Sequence, residues 1–191
     1  MYLFLQIKSY VLRHFREEVH QLIIMVAVSD SDFDIAVDIV VDSLANVTSL
    51  YASQIEVLRN LVKQQNIFVT LPTNAGKTLP PVILPSVIQE LNKLGYHQFP
   101  SVPRVLFITA LNSIQLSLVT SMGSLGIQCA SITGQNAEEV LESSVGVVFI
   151  GPETLRLPVV TKALLKRRES FVCKCIDEAH LGKSMMNKKC S

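Results

Sequence analysis

The sequence predicts an α/β domain: a parallel sheet flanked by helices, preceded by a helical N-terminal extension. Three observations predict it. Short aliphatic runs rich in Val and Ile recur along the second half of the chain, each closed by a turn residue. Stretches of helical period separate them. Hydrophobic residues make up 49% of the 191 and charged residues only 17%, where about 25% charged is usual, as strands covered on both faces require. The length suits one ordinary domain with its own core, and the composition excludes a disordered or collagen-like chain.

Residues 2–27 read as a helix, with Leu5, Tyr10, Val11, Phe15, Val19, Leu22 and Ile23 at helical spacing. Ser29-Asp30-Ser31-Asp32 interrupts it and offers an N-cap for a second helix through about residue 44. Asp34, Asp38 and Asp42 fall on one face of that helix; a solvated acidic face is expected there rather than a metal site. A third helix fits 51–63. From there helices and strands alternate. Strands are expected at 67–71, 105–108, 128–132, 145–150 and 171–176. Helices are expected at 77–94, 111–125, 137–142 and 155–168, the first bent or delayed by Pro80, Pro81 and Pro85. Strands alternating with helices imply βαβ units.

Charge is nearly balanced at +1 but unevenly spread. Residues 1–48 hold three bases against seven acids, a net −4, and residues 49–191 hold 14 bases against nine acids, a net +5. This bias permits nucleic-acid contact without demanding it. Lys166-Arg167-Arg168 could be a nucleic-acid or import patch, but basic residues at a helix C-terminus also complement its dipole. Cys129, Cys173, Cys175 and Cys190 form no zinc pattern. Buried reduced thiols are expected, which suits an intracellular protein, nuclear if its source is eukaryotic. His14, His20 and His97 show no ligand spacing. No apolar run approaches the roughly 20 residues of a membrane span, and the first residues lack the basic region of a signal peptide.

Two segments carry chemistry. Leu71-Pro72-Thr73-Asn74-Ala75-Gly76-Lys77-Thr78 follows a strand and opens a helix, the context of a phosphate-binding loop. Backbone N–H groups of Thr73, Asn74, Ala75 and Gly76 can face an anion. Gly76 allows close approach, Lys77 can reach the β- and γ-phosphates, and the Thr78 hydroxyl can ligate Mg²⁺. Leu71 stands where the strict pattern has glycine. The second segment, Asp177-Glu178-Ala179-His180, closes the last strand. Adjacent carboxylates ending a buried strand are poorly explained by packing. Asp177 can complete the Mg²⁺ shell and Glu178 can polarise the attacking water.

Together these segments resemble motifs I and II of the superfamily-two helicases, and most closely the RecQ-type DNA helicases. The resemblance spans residues 49–182. Ile83-Leu84-Pro85 and Gly151-Pro152-Glu153-Thr154-Leu155 are similar to further RecQ segments. The resemblance implies a P-loop NTPase fold of the RecA-like kind. It implies ATP and Mg²⁺ as cofactors and DNA, single-stranded or at a duplex junction, as partner. It casts Glu178, Lys77 and Asp177 as catalytic, Gln54 as the adenine-reading glutamine, His180 as a coupling residue, and Thr133 and Gly134 as a nucleic-acid contact. Tyr51 stands where the family has Arg, and Thr109-Ala110-Leu111 where it has Ser-Pro-Leu.

The chain is expected to be an incomplete helicase domain that stops after motif II, with 183–191 a disordered tail. In such motors a second RecA-like domain supplies the catalytic arginines, so slow hydrolysis is expected of this chain alone. Two other readings stay open: a non-catalytic nucleotide- or DNA-binding regulatory module, and a non-helicase P-loop ATPase.

Overall fold

A computed structural model describes residues 2–5, 27–70, 76–109 and 112–177. Its strands are β1 (Tyr2–Leu5), β2 (Ile67–Thr70), β3 (Arg104–Ile108), β4 (Cys129–Ser131), β5 (Val147–Ile150) and β6 (Phe171–Asp177). Its helices are α1 (Asp30–Ser43), α2 (Ala52–Val62), α3 (Leu79–Lys93), α4 (Asn112–Ser124), α5 (Ala137–Glu142), α6 (Pro152–Leu155) and α7 (Pro158–Lys166). The strands form one sheet in the order β2-β1-β6-β3-β5-β4. The four strands β6, β3, β5 and β4 run parallel. β2 runs in the same direction, because β1 is antiparallel to both β2 and β6.

The central strands explain why the aliphatic runs are legible. Every residue of β3 and β5 is buried, and alternation sends their side chains to two separate cores. Val105, Phe107, Val147 and Phe149 join Cys175 and the inner faces of α1, α2 and α3 on one side of the sheet. Leu106, Ile108, Val148 and Ile150 pack with Leu141, Val160 and Leu164 of α5 and α7 on the other. The Phe107 and Phe149 rings meet at 5.3 Å between centroids, tilted by 50°.

The helix expected over 2–27 is corrected at its start: residues 2–5 are a strand, and 6–26 lie outside the described residues. Local spacing favoured a helix, but 2–5 pairs with β2 along its whole length and with β6 at Leu3 and Phe4, and that outweighs helical period. Replacing Leu3 with proline removes one ladder donor and leaves an acceptor on a neighbouring strand unpaired. We expect a loss of about 1–3 kcal/mol in denaturant unfolding; an unchanged midpoint would remove β1 from the sheet.

The boundary expected at residues 48 and 49 is not a break in packing. Phe33, Ala36, Val37, Val40 and Val41 of α1 sit in the same core as α2 and α3. Ser29 caps α1, its Oγ accepting from Asp32 N at 3.1 Å. The Tyr96 hydroxyl donates to Asp32 at 2.7 Å and accepts from Ser29 N at 3.0 Å, tying that cap to the end of α3. The hydrogen bonds from Tyr96 and then Ser29 hold the Asp32 carboxyl below its ordinary pKa. Asp34, Asp38 and Asp42 are exposed, with Asp34 and Asp30 paired to Arg59.

The helix expected over 155–168 is shorter, α7 at Pro158–Lys166, and a separate one-turn helix, α6, precedes it at Pro152–Leu155. Pro158 lacks an N–H and drives Leu157 to an extended conformation (φ −68°, ψ 126°), so α6 stops and α7 starts afresh with Pro158 in its first turn. α3 begins at Leu79, two residues later than expected, with Pro80 and Pro81 in the first turn, and it continues through Pro85 to Lys93. Cys173 and Cys175 share a strand face as expected, their sulfurs 3.6 Å apart. Burial is a partial correction: Cys175 is buried, but Cys129 and Cys173 are half-buried, and Cys190 lies outside the described residues.

Candidate functional site

All the strands except β1 end at one edge of the sheet, and Asp177 and, after β4, Thr133 and Gly134 lie along that edge. β2 ends at Thr70, and the chain returns at Gly76 to open α3. Leu71, Pro72, Thr73, Asn74 and Ala75 lie outside the described residues. Gly76 has φ +63°, a left-handed conformation that glycine takes without strain. Lys77 follows in a turn and is only 3% exposed. Thr78 is the N-cap of α3 and half-buried.

Prolines shape the anion-binding capacity of this helix start. A helix N-terminus normally offers about four unpaired amides. Here Pro80 and Pro81 have none, and Leu79 N donates to Gly76 O at 3.0 Å. The start of α3 therefore offers fewer free amides than an ordinary helix N-terminus.

Gln54 has a place the sequence did not foretell. It is 3% exposed at the start of α2. Its Oε1 accepts from Tyr51 N at 2.9 Å and its Nε2 donates to Gly76 O at 3.1 Å. A Cβ on Gly76 would lie 2.5 Å from that Nε2. Gly76 is thus required twice over, by its dihedral and by the approach of Gln54. The amide expected to read adenine is engaged with protein groups at both ends, and it ties Gly76 to the start of α2.

Asp177 is the last residue of β6, and Leu3 of β1 lies in register with both Asp177 and Val69 of β2. The strands carrying the loop and the acid are therefore level and separated by one strand, about 10 Å axis to axis. This crevice at the carboxyl edge of a sheet is where α/β folds hold nucleotides. Thr78 and Asp177 are oxygen donors, the hard ligand set that Mg²⁺ takes from proteins alongside phosphate oxygens. No cluster of three His, Cys, Asp or Glu occurs among the described residues, and Mg²⁺ held on phosphates needs none. Glu178 and His180 lie outside the described residues.

Thr133 and Gly134 follow β4 at the same edge but at the far end of the sheet, five strands from β2, about 24 Å. Thr133 is exposed, and its Oγ and N both bond Asn136 Oδ1, at 3.0 and 2.7 Å. A Cβ on Gly134 would meet Leu157 at 3.0 Å. Between the two ends, Thr109 is buried, with its carbonyl accepting from the buried Gln115; nothing in the local sequence marked Gln115.

A sheet edge where a strand leads into a helix at one end, with an acid one strand removed, is an arrangement in which α/β folds hold nucleotides. The profile of the type III restriction enzyme res subunit family, ResIII, matches residues 48–189, about three quarters of the chain. The chain belongs to the ResIII family. It is a superfamily-two helicase-like ATP-binding domain with the α/β RecA-like fold. No curated protein and no solved structure matches at the same standard. The ResIII match begins after α1, yet α1 is packed into the core of the matched region and β1 into its sheet. No described helix is long and apolar enough to cross a membrane.

Proposed function

We propose that this ResIII domain is the ATP-binding half of a RecQ-like DNA helicase: it holds Mg-ATP at the β2–β6 end of its sheet and touches DNA at the β4 end. The observation that supports the reading is the register that sets Asp177 at the end of β6 level with Val69 near the end of β2, one strand away, with the Gly76-Lys77-Thr78 turn opening the helix that follows β2. In this assignment Lys77 neutralises the β- and γ-phosphates and Thr78 and Asp177 hold Mg²⁺. Glu178 orients and deprotonates the attacking water, and His180 couples the nucleotide to the nucleic acid. The loop residues Thr73, Asn74 and Ala75 supply amides, and Gln54 positions Gly76. Bound Mg²⁺ supplies charge neutralisation on the phosphates; the chain supplies orientation. Thr133 and Gly134 meet the sugar-phosphate backbone, consistent with the +5 balance of residues 49–191.

Asp177→Asn tests the metal half of this assignment. We expect ATP affinity in Mg²⁺ to fall to the level seen in EDTA, read by calorimetric titration, because the carboxylate that favours the metal complex is gone. Undiminished Mg²⁺ dependence would exclude Asp177 from the metal shell. For the nucleic-acid half, fluorescence anisotropy with a single-stranded oligonucleotide should show binding that weakens steeply with salt; turnover indifferent to DNA and an absence of binding would point to a non-helicase ATPase.

A further inference from the structure

The opposite, amino edge of the sheet carries a second concave site that the nucleotide assignment does not use. A cavity of about 700 Å³ opens between the start of β3, the end of α5 and the end of α7. Arg104, the first residue of β3, contributes to its lining while only 4% exposed. One guanidinium nitrogen, Nη2, donates to Ser143 O at the end of α5, at 2.6 Å. Its Nε–H, itself enclosed by protein, has no acceptor among the described residues, and neither does the enclosed Nε–H of Arg167, which lines the same cavity.

The charges here do not cancel. Arg167 is paired with Glu142, Lys166 with Glu138, and Glu169 with Arg168. Those pairs leave Arg104 with no carboxylate partner among the described residues. Burial and then the neighbouring Arg167 charge both lower the Arg104 pKa. A cation withdrawn from water without a counter-charge is costly, and two guanidinium groups that repel each other raise that cost. An arginine fork is matched to planar or tetrahedral oxyanions, which it grips with two parallel hydrogen bonds. Ser101 and Ser144 add hydroxyls to the wall.

We propose that this amino-edge cavity is an oxyanion site, in which Arg104 and Arg167 together bind the phosphate or carboxylate group of a small ligand. The site is independent of the nucleotide reading, since it lies at the other edge of the sheet. It also gives Arg167 a role beyond complementing the dipole of α7.

The test uses the full chain carrying Lys77→Ala, so that phosphate binding at the loop is silenced. Inorganic phosphate, citrate and chloride are titrated separately at constant ionic strength, and the Arg104 and Arg167 Nε–Hε resonances are followed by NMR. Saturable shifts of both resonances with phosphate or citrate, absent with chloride, are expected; whichever anion saturates first separates a phosphate ligand from a carboxylate ligand. Arg167→Gln should weaken binding at least tenfold. Glu142→Gln, which removes the carboxylate competing for Arg167, should tighten it. No saturable shift with either oxyanion, equal shifts with chloride, or affinity unchanged in both variants would overturn the proposal. Arg104→Gln is the less informative variant, because it also cuts the tie to Ser143; the two other variants leave that tie in place.

Discussion

Replacing Lys77 with alanine is expected to lower Mg-ATP affinity about 100-fold or more, with the chain still folding cooperatively. The magnitude follows from chemistry. A lysine bound to phosphate makes charge-assisted hydrogen bonds, each of about 1.5–3 kcal/mol, which the uncharged amides of the loop replace only in part. Pro80 and Pro81 have stripped the helix start of amides, and Leu79 N is spent on Gly76. In a phosphate loop with a full complement of helix amides, loss of the lysine would be partly covered. Here it should be covered less. Calorimetry gives the affinity, and ligand-induced thermal stabilisation gives a second reading, because stabilisation scales with ligand concentration over Kd. Lys77→Arg separates charge from shape: the charge is kept, but the bulkier guanidinium must fit where Lys77 is 3% exposed, so weak binding is expected there too. Affinity unchanged in the alanine variant would mean that nucleotide does not bind at this loop.

What could be read from the sequence follows from how locally each feature is determined. β3 and β5 are legible because burial on both faces makes every position apolar. The Gly76-Lys77-Thr78 turn is legible because a strand, a loop and a helix in succession build it without help from elsewhere. The end of β6 near Asp177 is legible for a related reason: charged residues close its apolar run. β1 was not legible, since nothing in four residues announces two partner strands about 65 and 170 residues away. Arg104 was not either. A basic residue at the start of a strand reads as a solvated surface group, and only the arrival of α5 and α7 buries it. The break at Pro158 was legible in principle, by the rule that already delayed α3 at Pro80 and Pro81.

Gln54 belongs to the same class of non-local features, and it carries the second large prediction. Gly76→Ala should destabilise the domain by about 2–4 kcal/mol and reduce Mg-ATP affinity at least tenfold. Two costs add. A non-glycine residue at φ +63° is strained by about 1–2 kcal/mol. The new Cβ, 2.5 Å from Gln54 Nε2, must also expel that side chain, breaking its hydrogen bonds to Gly76 O and from Tyr51 N, each of about 0.5–1.5 kcal/mol. A double-mutant cycle separates the two. Gln54→Ala already loses both bonds, so adding Gly76→Ala in that background should cost only the dihedral strain. The two substitutions should therefore be less than additive by about 1 kcal/mol or more in denaturant unfolding. Nucleotide affinity offers a check on the role of Gln54 itself. If Gln54 acts by bracing Gly76, Gln54→Ala should weaken ATP and GTP alike. If its amide reads the base, ATP should lose more than GTP. Strict additivity in stability would show that Gln54 does not touch the loop, and the brace between α2 and the phosphate site would fall with it.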